Sequence, residues 1–316
     1  MRALVFDSKL EFRADYPDPV AAPHESIVRV SRAGICGTDL EIARGYMKYR
    51  GVPGHEFVGV VAETSNPSLR GRRVVGEINV GCDRCALCAA GLGRHCPERT
   101  VLGILGRDGA FAEFLTLPDG NLIPVPDSVP DEVAVFAEPI AAAYEILEQI
   151  HLGRNQTIVV MGDGRLGALV ALVLRSEKYI PLVAGHHAEK LRRLESLGLD
   201  VAEESRLSDR FDIVIDCSGS GAGFSRAVEL VKPRGTIILK STAAAGAEVN
   251  LAPLVINEIT VLGSRCGRFE PALQALASNK IDPLPLIDGT FALAGGLAAF
   301  EAAADPLNFK ILLSPS

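Results

Sequence analysis

The chain has no tryptophan, and aromatic residues of all kinds make up only 5% of it. Glycine is plentiful instead, at 31 residues. That balance suits an α/β enzyme better than a β-sandwich or a coiled coil. No run of basic residues occurs and the formal charge is −7, which argues against nucleic acid as a partner. No apolar stretch reaches membrane-spanning length, because charged residues interrupt each one. The opening MRALVFDSKLEFR lacks the apolar core of a signal peptide. A soluble, cytoplasmic protein with no membrane partner is the expectation. Internal repeats and low-complexity tracts are also missing.

Cysteine is present seven times, an odd number. Four of the seven crowd between Cys82 and Cys96. In a chain with no export signal, that crowding favours thiolate metal ligands over disulfides. Cys217 and Cys266 lie in apolar surroundings and read as small buried hydrophobes.

A length of 316 residues suits two domains, and 48% hydrophobic content is enough for two cores. The first part is rich in β-branched runs broken by Gly and Pro. It predicts short strands at 26–30, 57–63, 73–78 and 111–117, in a compact barrel-like arrangement. Pro124, Pro126 and Pro130 stiffen a connector. A helical pattern runs from Val133 to about His151. Strands and helices then alternate, with strands at 157–161, 181–184, 212–216, 236–239 and 258–263. Alternation of this kind predicts a doubly wound parallel sheet. The chain closes on an apolar strand at 309–313. The fold class is therefore α/β. Its expected domains are 1–137, including a lobe at 82–96, then 138–272, then a returning segment at 273–316.

The lobe reads Cys82-x2-Cys85-x2-Cys88-x7-Cys96. Tetrahedral zinc takes four thiolates at about 2.3 Å, and closely spaced cysteines supply them without long loop closure. Four thiolates leave no open coordination position, so a metal here is structural.

A second group comprises Cys36, in Gly34-Ile35-Cys36-Gly37-Thr38-Asp39, with His55 and Glu56 in Gly54-His55-Glu56. One thiolate, one imidazole and one carboxylate match a catalytic zinc, which keeps a position for water or substrate. Glu138, in Ala137-Glu138-Pro139-Ile140, is a candidate fourth ligand. Three anions would more than cancel the charge of the ion, so one glutamate is expected to bind loosely or through water. The Thr38 hydroxyl could accept the substrate proton. Asp39 could fix the tautomer of His55. Turn capping is the alternative role for both.

Gly162-Asp163-Gly164-Arg165-Leu166-Gly167 follows an apolar strand and opens an apolar helix. In that context GxGxxG marks a dinucleotide loop, with the helix N-terminus facing the pyrophosphate. An NAD-type site usually places an acid at the end of the next strand. Here that position is Gly185, followed by His186 and His187, with Lys190 and Arg192 beyond. Glycine leaves room for a 2′-phosphate and those residues offer it donors, so the balance favours NADP over NAD.

On these motifs the whole chain resembles the zinc-containing medium-chain alcohol dehydrogenase superfamily. The resemblance implies a GroES-like catalytic domain to which the C-terminal segment returns, plus a Rossmann domain. It implies Cys36, His55 and Glu56 at the catalytic zinc, and zinc on Cys82, Cys85, Cys88 and Cys96. Glu138 matches the acidic position of the polyol, glucose and threonine dehydrogenase branch. Arg265, in Gly263-Ser264-Arg265-Cys266-Gly267, matches a stretch near the nicotinamide. Departures are Glu41, where many members have a proton-relaying histidine, Ser65 and Arg72. A homodimer or homotetramer is implied.

The resulting expectation is an oxidoreductase with two zinc ions per chain. It passes a hydride between an alcohol or polyol, or its carbonyl counterpart, and NAD(P)(H). The alternatives are a zinc-independent enoyl or quinone reductase and a non-catalytic dinucleotide-binding protein.

Overall fold

The segment Glu25–Gly34 buries Ser26, Val28 and Val30 while Arg29 faces solvent, the period-two pattern of a half-buried strand. It is the hub of a seven-stranded sheet. It pairs antiparallel with Glu56–Glu63, Phe114–Pro118 and Lys310–Ser314. The computed structural model describes residues 1–240 and 248–315. It divides into two units, Met1–Glu138 with Phe269–Ser316, and Pro139–Arg268.

In the first unit the hub strand is longer than the expected 26–30. Its last residues are held on both sides, with Gly34 opposite Glu56 in one neighbour and Leu312 in the other. That second partner comes from far along the chain, so local pattern could not signal it. The helix Gly296–Ala304 belongs to the same unit, and its Phe300 ring packs edge-on against Phe111 at 5.7 Å.

The expected helix from Val133 to His151 is two helices, Asp131–Ala134 and Ala137–Gln149. Pro139 explains the break. Its ring would clash with the carbonyl of Val135 in a continuous helix, whereas proline is tolerated in a first turn.

The second unit holds a six-stranded, all-parallel sheet. Its order is Asp200–Glu203, Pro181–Gly185, Ile158–Met161, Phe211–Asp216, Val231–Leu239, Thr260–Gly263. All four residues of Ile158–Met161 are buried, as expected for a strand covered on both faces. Val159, Met161, Val214 and Ile237 join one core with Ala227 and Leu230 from the helix Gly221–Leu230. The edge strand Asp200–Glu203 carries no apolar run and is largely solvent-facing, which is why the sequence pattern misses it. The chain leaves Ile158–Met161 toward one side of the sheet and later returns on the other. That makes the carboxyl end of this strand the switch point where open α/β sheets bind ligands.

Candidate functional site

In the first unit, strand pairing builds a metal-ligand group. Cys36 follows the hub strand and caps the helix Gly37–Ala43, while His55 immediately precedes the neighbouring strand and Glu56 opens it. One ligand atom from each of Cys36, His55 and Glu56 lies within 4.8 Å of the others. Gly34 is required here, because a Cβ on it would collide with the Glu56 carboxylate.

Asp39 is fully buried and ties the group together. Its Oδ2 accepts the Cys36 backbone N–H at 2.8 Å. Its Oδ1 faces His55 Nδ1 at 3.2 Å, which leaves Nε2 of the imidazole for a metal. Burial works to lower the pKa of His55, but the Asp39 carboxylate and the Cys36 thiol outweigh it and hold it well above the usual imidazole value. The ring therefore sits in a field that attracts positive charge, whether a proton or an ion. Glu56 Oε1 is buried and has no hydrogen-bond partner among the described residues. An orphaned carboxylate oxygen beside a thiol and an imidazole is what a zinc ligand set looks like without its ion, so the residues fit the metal.

Glu56 Oε2 is already engaged. Lys310 Nζ donates to it at 2.5 Å, with both side chains buried. The sequence reading missed Lys310. The one available signal was a lysine inside an otherwise apolar strand, Lys310–Ser314.

Glu138 lies outside the 4.8 Å group. It feels the same charges, however. Burial pushes its pKa up to about 7, with Glu56 and Glu77 adding to the rise and His55 and Lys310 opposing it. Thr38 is the second residue of the helix Gly37–Ala43, is half-buried, and stands two residues from Cys36. Glu41 Oε1 accepts from Arg44 at 2.6 Å.

The cysteine lobe closes on itself. One sulfur from each of Cys82, Cys85, Cys88 and Cys96 lies within 4.8 Å of the rest. Cys85 caps the short helix Ala86–Ala89 and accepts the Cys88 N–H on its sulfur. The Arg84 N–H lowers the Cys82 pKa to about 7, while burial raises that of Cys88 to about 11. None of the seven cysteines forms a disulfide among the described residues. Cys266 is buried, and burial pushes the Cys217 thiol up to about 12.

In the second unit the glycine loop lies at the carboxyl end of Ile158–Met161, and Arg165 and Leu166 begin the helix Arg165–Ser176. Gly162 adopts φ +110°, a conformation that favours glycine. A Cβ on Gly167 would collide with the Gly162 carbonyl. Beside Gly164 nothing lies within 4 Å of where a Cβ would stand. The loop is thus tight on its inner side and open at the cap of the helix, the arrangement that admits a pyrophosphate.

Gly185 ends its strand as expected, but the room inferred beside it is filled. A Cβ there would collide with the side chain of Asp163. Two of the donors expected for a 2′-phosphate, His186 and His187, also face carboxylates. His186 Nε2 lies 2.9 Å from Glu204 Oε2, and His187 Nδ1 lies 3.1 Å from Asp163 Oδ1. Lys190 is only 4% exposed. Arg265 is exposed, and its carbonyl accepts a hydrogen bond from Lys240 Nζ at 2.9 Å.

Known proteins resemble this chain in sequence and fold. Residues 22–127 match the alcohol dehydrogenase GroES-like domain, and residues 166–278 match the zinc-binding dehydrogenase family. The L-threonine 3-dehydrogenase of Rhizobium etli (strain CIAT 652) is 30% identical, over 99% of this chain and 98% of its own. The sorbitol dehydrogenase of Halalkalibacterium halodurans is 26% identical, over 95% of this chain and 94% of its own. Among solved structures, the short chain alcohol dehydrogenase rspB of Escherichia coli CFT073, complexed with NADH, superimposes with a TM-score of 0.89. It is 27% identical, and 99% of each chain is covered. No helix among the described residues is long and apolar enough to cross a membrane. By its motifs, its fold and these relatives, the chain belongs to the zinc-containing medium-chain alcohol dehydrogenase superfamily, in its polyol and threonine dehydrogenase branch, and is an NAD(P)-dependent oxidoreductase acting on alcohols.

Proposed function

We propose that the chain oxidises a polyol-like or amino-alcohol hydroxyl to the carbonyl, and reduces that carbonyl in reverse, at the Cys36, His55 and Glu56 group. The observation that carries this reading is their convergence within 4.8 Å, with one buried carboxylate oxygen of Glu56 left without a partner. When bound there, zinc supplies a Lewis acid that lowers the pKa of the substrate hydroxyl, and the nicotinamide supplies the hydride acceptor.

The protein's own residues do the rest. Cys36 and His55 hold the metal, with Asp39 fixing the imidazole from behind. Lys310 neutralises Glu56, so that a thiolate and a carboxylate do not quench the ion. Thr38 takes the hydroxyl proton. Glu138, outside the first ligand group and balanced near pH 7, exchanges a proton or a water-mediated contact with the site. Cys82, Cys85, Cys88 and Cys96 hold the structural zinc. The two groups together would hold two zinc ions per chain.

Gly162, Gly164 and Gly167, with the N–H groups at Arg165 and Leu166, hold the pyrophosphate. Arg265 lies on the segment assigned to the nicotinamide end. Glycine at position 185 argues for NADP. The Asp163 carboxylate, filling the space that the glycine leaves, argues for NAD, and a fixed charge outweighs an absent side chain.

The intact ligand set disfavours a zinc-independent enoyl or quinone reductase and a non-catalytic dinucleotide-binding protein. We also propose a homo-oligomer joined at the edge strand Thr260–Gly263. Its Val261 is exposed, as are Leu251, Val255 and Ile256 nearby, the last two more than 75%. A strand edge left unpaired among the described residues and flanked by apolar side chains is suited to pairing with a second copy.

The test is elemental analysis of the purified chain, paired with NAD- and NADP-linked oxidation of threonine, sorbitol and simple alcohols before and after chelation. Two zinc ions, and turnover that disappears with the more labile one, support the reading. Turnover that survives complete removal of metal overturns it.

A further inference from the structure

The dinucleotide reading assigns the end of the strand Pro181–Gly185 to the adenosine ribose, where an acid normally accepts a ribose hydroxyl. This chain has no side chain at that position, yet a carboxylate occupies it. Asp163, between Gly162 and Gly164 of the glycine loop, is 5% exposed and reaches across to Gly185. Its Oδ2 accepts the backbone N–H of His186 at 2.9 Å and of His187 at 2.7 Å. The His187 ring nitrogen Nδ1 lies 3.1 Å from Oδ1 and 3.2 Å from Oδ2.

We infer that Asp163 is the specificity residue of the adenosine site: it supplies from the glycine loop the carboxylate that the strand end lacks, and makes the chain select NAD(H) over NADP(H). The inference rests on the dinucleotide reading above and carries it one step further.

Three observations support it. The N–H groups of His186 and His187 open the turn after the strand, where a 2′-phosphate would seek donors, and Asp163 already takes both. A second anion brought to that spot would meet a like charge. Burial opposes the charge on Asp163, but the His187 N–H and ring, with Lys190 nearby, outweigh it and hold its pKa below the usual carboxylate value. Finally, three donors beside the site already have partners. His186 pairs with Glu204, a second carboxylate on this side of the sheet, and His187 pairs with Asp163. Arg192 Nε turns back to the Ala188 carbonyl of its own helix at 3.3 Å. An ionised carboxylate offers about four acceptor sites. Oδ2 takes both backbone N–H groups and Oδ1 faces the His187 ring, so the carboxylate is held in place beside the strand end.

Direct binding tests this without turnover. NADH and NADPH are titrated into the zinc-loaded full chain, following nicotinamide fluorescence, with calorimetry as a check. The unaltered protein should bind NADH at least about ten-fold more tightly, which corresponds to roughly 1.4 kcal/mol. Asp163→Asn should weaken NADH and shrink that ratio several-fold. Because Asp163 also braces the turn, a second variant separates charge from structure. Asp163→Gly combined with Gly185→Asp moves the carboxylate to the strand end and should restore the preference for NADH. Equal or tighter NADPH binding by the unaltered chain overturns the inference, as does an Asp163→Asn ratio that does not move. Failure to bind either dinucleotide would instead overturn the cofactor reading on which the inference stands.

Discussion

Nζ of Lys310 lies 2.5 Å from Oε2 of Glu56, and neither side chain is more than 2% exposed. The Nζ also sits 5.6 Å from the centre of the Phe136 ring. Removing one member of a buried ion pair leaves the other uncompensated and typically costs about 3–5 kcal/mol. Lys310→Met should therefore sharply lower the melting temperature of the metal-stripped protein. Zinc should recover part of the loss, because the freed Oε2 then faces the ion. Equal melting of the two proteins in chelator would contradict the role given to this pair.

Asp39→Asn removes the negative charge behind both Cys36 and His55 while keeping the shape. Changes that disturb the partner of a metal-bound histidine commonly cost 10- to 100-fold in affinity. The variant should lose about that much zinc affinity at the labile site and none at the cysteine lobe. Competition against a chromophoric chelator reads the two sites separately.

Cys96 is the one fully buried member of the lobe cysteines. Cys96→Ser should lower metal content from two ions to one and make the lobe between Cys82 and Cys96 an early target for protease. Full metal content in the variant would rule out a four-thiolate site.

Asp212 staples three neighbouring strands at their N-terminal ends. Its Oδ2 accepts from the Thr157 N–H and hydroxyl, both at 2.8 Å, and from Lys232 Nζ at 3.0 Å. Partial burial opposes the charge, but these donors prevail and its pKa is lowered. A carboxyl with a depressed folded-state pKa contributes stability above its unfolded value of about 3.9, and that stability is lost as pH falls through the folded value. Asp212→Asn should be less stable than the parent at neutral pH, and the two should converge in the acid range. Parallel denaturation curves at pH 7 and pH 3 would show this. A gap that stays constant would argue against it.

Charge placed beside the edge strand should dissolve the proposed oligomer. Ile256→Glu adds an anion to a residue that is 77% exposed in the single chain. It should shift the mass measured by light scattering to that of one chain, with the far-ultraviolet circular dichroism unchanged. A parent that already runs as a single chain would end this proposal.

The cysteine lobe is readable from sequence because short spacings pin it, whereas Cys36 meets His55 and Glu56 only through strand pairing. Two-residue gaps bring Cys82, Cys85 and Cys88 together wherever the lobe lies, and Glu56, next to His55, opens a strand whose β-branched pattern is plain. Neither the Lys310–Glu56 pair nor the reach of Asp163 to Gly185 is legible in the sequence. Lys310 reaches Glu56 only through the pairing of Leu312 with Gly34, a register that no local window contains. Asp163 looks like a turn residue between two glycines until the neighbouring strand is set beside it. Gly185 shows the same limit: whether space lies beside it depends on what its spatial neighbours put there, here the Asp163 side chain. The broken helix around Val135 was within reach, since Pro139 forbids continuity, but apolar periodicity on both sides hid the interruption.

The ion pair at Glu56 spans 254 positions of sequence. At ribosomal speeds of about 5–20 residues per second, Lys310 emerges roughly 10–50 s after the glutamate it neutralises. The four-cysteine lobe needs no such wait, since all its sulfurs leave the ribosome within moments of one another. The two metal sites thus mature on different clocks: one can load while the chain is still growing, and the other gains its counter-charge only once the closing strand has docked.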